Sequence, residues 1–351
     1  MMSYPLRQTP KYARIKSQRG VALISVLLAV ALCVILASEM LMQQSLQVKR
    51  VQNLFERQQA FWYANGSEQF VKTLIKKIID DDAGVIHLDQ SWAMTGMSFP
   101  VPDGLIEGQI SDLQSCFNIN SLYNSQWDQK RREEHKQAFV RLLDKLDIVK
   151  DNSSEDLANN VYDWLDPDEY PVGAVGYDGD MYTSMPFPYM AANSPFAHEN
   201  ELRLVYGFDA AVMAQLDDTL CAIPDYSDFV INVNTIDAEN PVILAAVLDI
   251  DNSTAENIIS QRPKDGFKDI KEFWDLNEVK SLKNLAQIDK TQFTVKSKFF
   301  KLVTNAYYND MRFDLTSVMQ LNEQNEIQVI ARRFGGKVER KADPETEQSD
   351  N

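Results

Sequence analysis

The first eighty residues constrain this chain more than any other stretch. Residues 1–20 carry Arg7, Lys11, Arg14, Lys16 and Arg19 and no acid, and they close on Gly20. An uncharged, mostly apolar run follows from Val21 to Ser38, and then comes Glu39. A run of about 18 such residues is long enough to span a bilayer as one helix. A secretory signal peptide begins in the same way. Here, however, no small-x-small cleavage site follows the run, and the helical pattern continues past its end. From Val21 to about Ile79 there is no Pro and one Gly, Gly66. Apolar residues recur at helical steps: Val51, Leu54 and Phe55, then Phe70, Val71, Leu74, Ile75 and Ile78. One helix over this span is about 90 Å long at 1.5 Å per residue. Its first third is apolar all round, and its remainder is amphipathic, with Lys49, Arg50, Glu56, Arg57 and Lys76 on solvated faces. Two readings fit: an ordinary signal-anchor helix ahead of a domain, or a helix that sits in the membrane first and is later packed into a fibre.

Charge narrows the class. A net charge of −16 argues against nucleic acid, whose binding needs a basic surface. Residues 151–220 hold fourteen Asp or Glu against one base, Arg203. Five positive charges ahead of the membrane segment place the leader in the cytoplasm and the bulk of the chain outside, which in a Gram-negative cell is the periplasm. Cys33 lies in the apolar helix and is expected to pack as a small hydrophobe. Cys116 and Cys221 lie in the soluble part. Two such cysteines in an oxidising compartment often pair, the alternative being two buried thiols; a bridge is expected.

Residues 84–125 read as short strands, with VIHL, SFPVP and GLIEGQISDLQSCFNIN between Gly and Pro. Residues 293–334 do so again, with period two in Phe293–Val295 and in Phe299, Lys301 and Val303. The segment between is mainly helical in pattern. The economical architecture is one small antiparallel sheet against the long helix, interrupted by a helical insertion. Helices are predicted over Gln129–Leu146 and Ser154–Leu165. INVNTIDAENPVILAAVLDIDNSTAENIISQRP predicts a helix pair, with Ser253 and Glu256 as a capping box for the second helix. The pair has the outline of a helix-hairpin-helix. Its turn, LDIDNS, is acidic and lacks Gly, so packing is expected there rather than DNA binding.

The strongest candidate for chemistry is Asp163-Trp-Leu-Asp166-Pro-Asp168-Glu169-Tyr-Pro, followed by Gly176-Tyr-Asp178-Gly-Asp180-Met-Tyr. A calcium ion takes six to eight oxygens, and a loop can wrap such acids around one centre. So many close carboxylates repel one another unless a cation sits among them. The twelve-residue EF-hand order is absent, and the plainer reading is a solvated acidic loop. The expected ligands are Asp166, Asp168, Asp178 and Asp180, then Glu169, with Asn193 and Glu201 able to approach. His87, His135 and His198 form no metal-binding pair in sequence, and no GxSxG, P-loop or dinucleotide turn is present. An enzyme is therefore not expected; a metal-dependent hydrolase is the weakest alternative.

The leader with Gly20 at its junction, and the apolar helix from Val21, resemble a type IV prepilin. In such proteins a membrane peptidase cuts after the Gly, and the helix stays on the mature chain. QRGVALISVLLAVAL and QVKRVQNLFERQQAFWYANGSEQF, then DLQSCFNINSL, YDWLDPDEYP, PYMAANSPF, ENELRLVYGF and FVINVNT, resemble in order the K component of type II secretion systems, the minor pseudopilin GspK.

The resemblance implies an α+β fold, a pilin-like long N-terminal helix on a small antiparallel sheet with a large helical domain inserted between strands. It implies a leader at 1–20, a helix at 21–80 with 21–38 in the inner membrane, sheet segments at 84–125 and 291–337, an inserted domain at 126–290 and a disordered tail at 338–351. The implied partners are the I and J minor pseudopilins, the major pseudopilin, the prepilin peptidase and the inner-membrane assembly platform. The implied role is to initiate and cap a periplasmic pseudopilus that supports export of folded proteins; a minor pilin of another pilus system is the alternative. The family resembled binds calcium in its soluble region, although GAVGYDGDMY departs from the more usual GAEDxYY. Ser25 stands where most pilins carry a Glu, thought to pair with a neighbour's N-terminal amine in the membrane. A buried charge needs such a partner, so a subunit lacking that Glu suits a tip.

Overall fold

A computed structural model describes residues 20–148, 153–172, 179–216 and 219–335. The predicted leader before Gly20 and the predicted tail lie outside these residues. The chain divides after Gln58 into two compact units. Helix α1, Val21–Asp81, runs through that division. The predicted end at about Ile79 is thus within two residues of the observed one.

In the first unit α1 is held by its own ladder, which begins with Ile24 N–H donating to the Gly20 carbonyl (3.3 Å). The apolar side chains from Val21 to Leu36 are more than half exposed.

In the second unit, Ala60, Ala64, Glu68, Val71, Ile75 and Ile78 of α1 are buried, at steps of three and four. They face a five-stranded antiparallel sheet of order β1-β2-β7-β8-β9. Its strands are β1 Met97–Val101, β2 Gly104–Asp112, β7 Phe299–Tyr308, β8 Met311–Leu321 and β9 Ile327–Phe334. Val71, Ile75, Ile78 and Ile79 pack on Ile110, Phe300, Leu302 and Met319. Each such side chain contributes about 1.5–3 kcal/mol when fully buried. Glu68, fully buried, takes a two-point contact from Arg332 on β9 (2.7 and 2.8 Å) and a bond from Ser317 on β8 (2.8 Å). Burial alone would raise its pKa, but the hydrogen bonds from Arg332 and Ser317 outweigh it and hold the carboxyl below its ordinary range. One ion pair therefore fixes the register of helix on sheet.

The chain leaves the sheet at Asp112 and rejoins it at Phe299, where β2 pairs antiparallel with β7. Between them lies the insertion, predicted at 126–290, whose described helices are α2 Gln129–Lys145, α3 Ser154–Leu165, α4 Gly179–Thr183, α5 Ala210–Leu216, α6 Val242–Leu248, α7 Asn252–Ser260, α8 Ile270–Asp275 and α9 Asn277–Lys280. Two short parallel pairs tie it together, β3 Phe117–Asn118 with β4 Leu220–Cys221, and β5 Ile231–Asn232 with β6 Phe293–Thr294. Its core is separate from that of the sheet and includes Phe117, Phe139, Trp164 and Leu244.

Three details correct the sequence reading. Residues 113–125 and 291–298, expected in the sheet, lie outside its five strands, and β3 and β6 pair within the insertion. VIHL is not a strand: its Val85 and Ile86 are buried, but Ile86 N–H makes a single backbone bond, to Val295 (3.0 Å). Helix α7 is capped by Asp251, which accepts from Thr254 N–H (2.8 Å), and not by Ser253, whose hydroxyl donates to that same carboxylate (2.6 Å). Two candidate caps stand two residues apart, and the carboxylate reaches the free N–H groups of the first turn while carrying the charge that the helix start favours.

Candidate functional site

Two regions carry functional geometry, the apolar end of α1 and the acidic loop after α3. The first has one polar group of note. The Ser25 hydroxyl donates to the Ala22 carbonyl (2.9 Å), so it is satisfied inside its own helix. Among the described residues α1 is the one helix long and apolar enough to cross a membrane. Gly20 and Val21 lie at its start.

The acidic loop is built from α3 outward. Ser153 and Asp156 form a capping box that starts this helix, and Leu157, Val161, Trp164 and Leu165 bury its apolar face. Asp163 is fully buried, and both its oxygens accept from Val172 N–H (2.9 and 3.1 Å), which closes the loop on the helix that precedes it. Asp166 ends α3 and is nearly buried. Asp168 accepts from Tyr170 N–H (2.9 Å). Glu169 lies along Gly179, with its carboxyl carbon 3.9 Å from where a Gly179 Cβ would stand. Asn193 reaches in from the next segment, donating its amide to the Asp168 carbonyl (3.1 Å). Glu201 accepts from Ala197 N–H (3.4 Å) one turn further on. Asp180 belongs to α4, and Asp178 lies outside the described residues.

The structure thus brings Asp168, Glu169 and Asn193 to one loop cluster. Among the described residues no three His, Cys, Asp or Glu side chains gather as a metal set. One atom suits a cation. The Asn193 side-chain oxygen is buried with no hydrogen-bond partner among the described residues. An acceptor left without a donor is costly to bury, and calcium takes amide carbonyl oxygens of this kind.

The predicted bridge is present. Cys116 and Cys221 are bonded, with Cα atoms 5.8 Å apart, beside the β3–β4 pair. The histidines have separate surroundings. His135 stacks on Phe117 (4.9 Å) and meets the Ser121 hydroxyl (2.7 Å), and burial pushes its pKa down to about 3. His87 lies 3.8 Å from Asp82, and His198 lies 3.6 Å from Glu199. The α6–α7 turn is fastened to α2: Arg141 donates to the Ala246 carbonyl (2.8 Å) and Lys145 to that of Ile250 (2.6 Å). Packing is therefore the use made of this helix pair.

Sequence reasoning missed the asparagines that hold the insertion together. Asn120 is fully buried; its amide donates to the Phe196 and Ile223 carbonyls (2.9 Å each), and its oxygen accepts from Phe196 N–H (2.7 Å). Asn118 bonds Tyr226 and Asp228 in the same manner, and Asn234 brackets Phe267. Asn232 joins Ile86 and Ser297 at the sheet junction.

Two family models, each described as type II secretion system (T2SS), protein K, match residues 115–225 and 231–296. The type II secretion system protein K of Aeromonas hydrophila is 33% identical over 92% of this chain and 98% of its own length. That of Pectobacterium carotovorum subsp. carotovorum is 32% identical over 91% and 97%. The crystal structure of the GspK-GspI-GspJ complex from enterotoxigenic Escherichia coli holds a chain that superposes with a TM-score of 0.73 at 27% identity, covering 82% of this chain and 99% of that one.

Proposed function

The chain belongs to the type II secretion system protein K family and is a minor pseudopilin, and from that premise we propose that it caps the periplasmic pseudopilus in company with I and J components. The observation that carries the tip placement is the insertion. Some 186 residues stand between Asp112 and Phe299, with a core of their own. Repeating pilin subunits pack helix against helix, and a body of this bulk obstructs a subunit stacked above it. The satisfied hydroxyl of Ser25, in place of a carboxylate, removes one intramembrane contact of the same kind. The named GspK-GspI-GspJ complex supports partnership with I- and J-type subunits, and the amphipathic part of α1 is the surface proposed for that contact.

The reading includes an inner-membrane anchor formed by Val21–Ser38, with the bulk of the chain in the periplasm, and cleavage between Gly20 and Val21 by a prepilin peptidase. N-terminal sequencing of the mature protein tests this. The first residue should be Val21, and Gly20→Asp should leave the precursor uncut. A mature start near residue 40 would mean an ordinary secretory signal and would overturn the pilin-type reading.

The reading also includes calcium in the acidic loop. Asp166, Asp168, Glu169, Asp178 and Asp180 would hold it, with the Asn193 oxygen as a further donor. The ion would offset charge and fix the loop. A ligand that binds the folded state alone stabilises it by about 2.7 kcal/mol at a hundredfold excess over Kd. The domain should therefore melt lower in chelator and recover with calcium more fully than with magnesium, whose octahedral shell fits such loops poorly. Asp166→Ala with Asp178→Ala should abolish the difference. Identical melting with and without chelator would leave this region a solvated acidic loop.

A further inference from the structure

The turn that follows α4 carries a group no interaction above uses. Phe187 is 87% exposed, the most exposed large apolar side chain among the described residues. It is not on a loose strand of chain. Pro186 and Pro188 flank it and fix their own φ angles. The turn is closed beneath it by Tyr189 N–H donating to the Tyr182 carbonyl (3.4 Å). Tyr182 is fully buried against Trp164 (5.4 Å), and the Tyr189 hydroxyl donates to the Leu204 carbonyl (2.7 Å). Buried Tyr182 and half-buried Tyr189 thus hold the base while the phenylalanine stands out.

The neighbours extend the apolar surface. Met190 is 74% exposed, Tyr170 81%, and Met181 is also exposed. Two contacts bring the segments that carry them together. Glu169, next to Tyr170, lies along Gly179, two residues before Met181. Asn193, three residues after Met190, bonds Asp168. Asp168 and Glu169 therefore adjoin the segments that carry these apolar residues, within a stretch of fourteen acids and one base. Calcium would offset two charges per ion and leave the segment acidic.

We infer that Phe187, with Met181, Met190 and Tyr170, is a preformed docking knob for a protein surface that has an apolar pocket edged by Lys or Arg. Water-exposed apolar side chains of this size favour burial. A side chain already fixed in place loses less freedom on binding, which is what an anchor residue requires. Charge selects the occupant. A second copy would bring like charges face to face, and an anionic bilayer surface would repel the same carboxylates. A basic rim around a pocket complements both parts of the knob.

A photo-crosslinking residue placed at position 187 of the full chain, in secreting cells, tests this. The same probe at Leu54 on α1 serves as the control for assembly with partner pseudopilins. The expected result is an adduct at 187 with one protein, on a peptide whose apolar residues are flanked by Lys or Arg. With the probe at Met190, Phe187→Ser should lower adduct yield about tenfold, as loss of an anchor does. The far-UV spectrum of Phe187→Ser should match the parent's. Adducts at Leu54 with none at 187 would overturn the knob alone. Adducts at neither position would overturn the assembly reading and the knob with it. Adducts at 187 with lipid, with a second copy, or with an acidic or uncharged surface would also overturn the knob.

Discussion

Unfolding of the Asn120→Ala variant is expected at a much lower denaturant midpoint than that of the parent, with a loss of about 3–5 kcal/mol. The side chain is fully buried and makes three bonds, donating to Phe196 and Ile223 and accepting from Phe196. Alanine removes all three. It leaves one N–H and two carbonyls in the core without their partner, and each such group costs about 1–3 kcal/mol. Since whole domains are stable by about 5–15 kcal/mol, this single change removes a large share. Asn120→Asp keeps the shape and the acceptor but loses both donors, so it should be destabilised nearly as much. Urea titration followed by tryptophan fluorescence reads both. A midpoint within experimental scatter of the parent's would mean that the bracket is not what closes the insertion.

Removing the disulfide should cost a similar amount by a different route. Cys116 and Cys221 are separated by 105 residues. The chain-entropy model gives on the order of 4–5 kcal/mol for a loop of this length, most of it through the unfolded state. The native state should keep its shape when the bridge is cut, because the β3–β4 pair and the Asn118 and Asn120 brackets hold the same segments together. Cys116→Ala with Cys221→Ala should therefore give a folded protein that melts lower, and reduction of the parent should do the same. Equal melting of oxidised and reduced protein would contradict this. The bridge and Asn120 act on one crossing, so losses from combined variants should not add.

Much of the architecture was legible because it is periodic. The α1 pattern predicts a helix that ends within two residues of Asp81. Ser154–Leu165 is predicted and observed alike, since a capping residue stands before it and a Pro follows two residues after it. Strands β7 and β8 alternate buried and half-buried residues because one face rests on α1. What was not legible depends on partners far along the chain. Two-residue parallel pairs such as β5–β6 have no period to read. The asparagines in FNIN and INVN stood in quoted motifs, yet the carbonyls they serve lie up to 146 residues away, as for Asn232 and Ile86. VIHL reads as a strand because it opens on the branched, apolar Val85 and Ile86; their burial comes from packing without a ladder. Of the acidic loop, the approach of Asn193 to Asp168 was legible, whereas the buried clamp made by Asp163 was not, since nothing in DWLDPDEYP tells one Asp from another.

Labelling of isolated pseudopili with antibodies to this protein and to the I and J components tests the central claim most directly. All three labels should mark the same single end of each fibre, with none of this protein along the shaft. Label along the fibre length, or at an end that lacks the other two, would contradict the tip assignment.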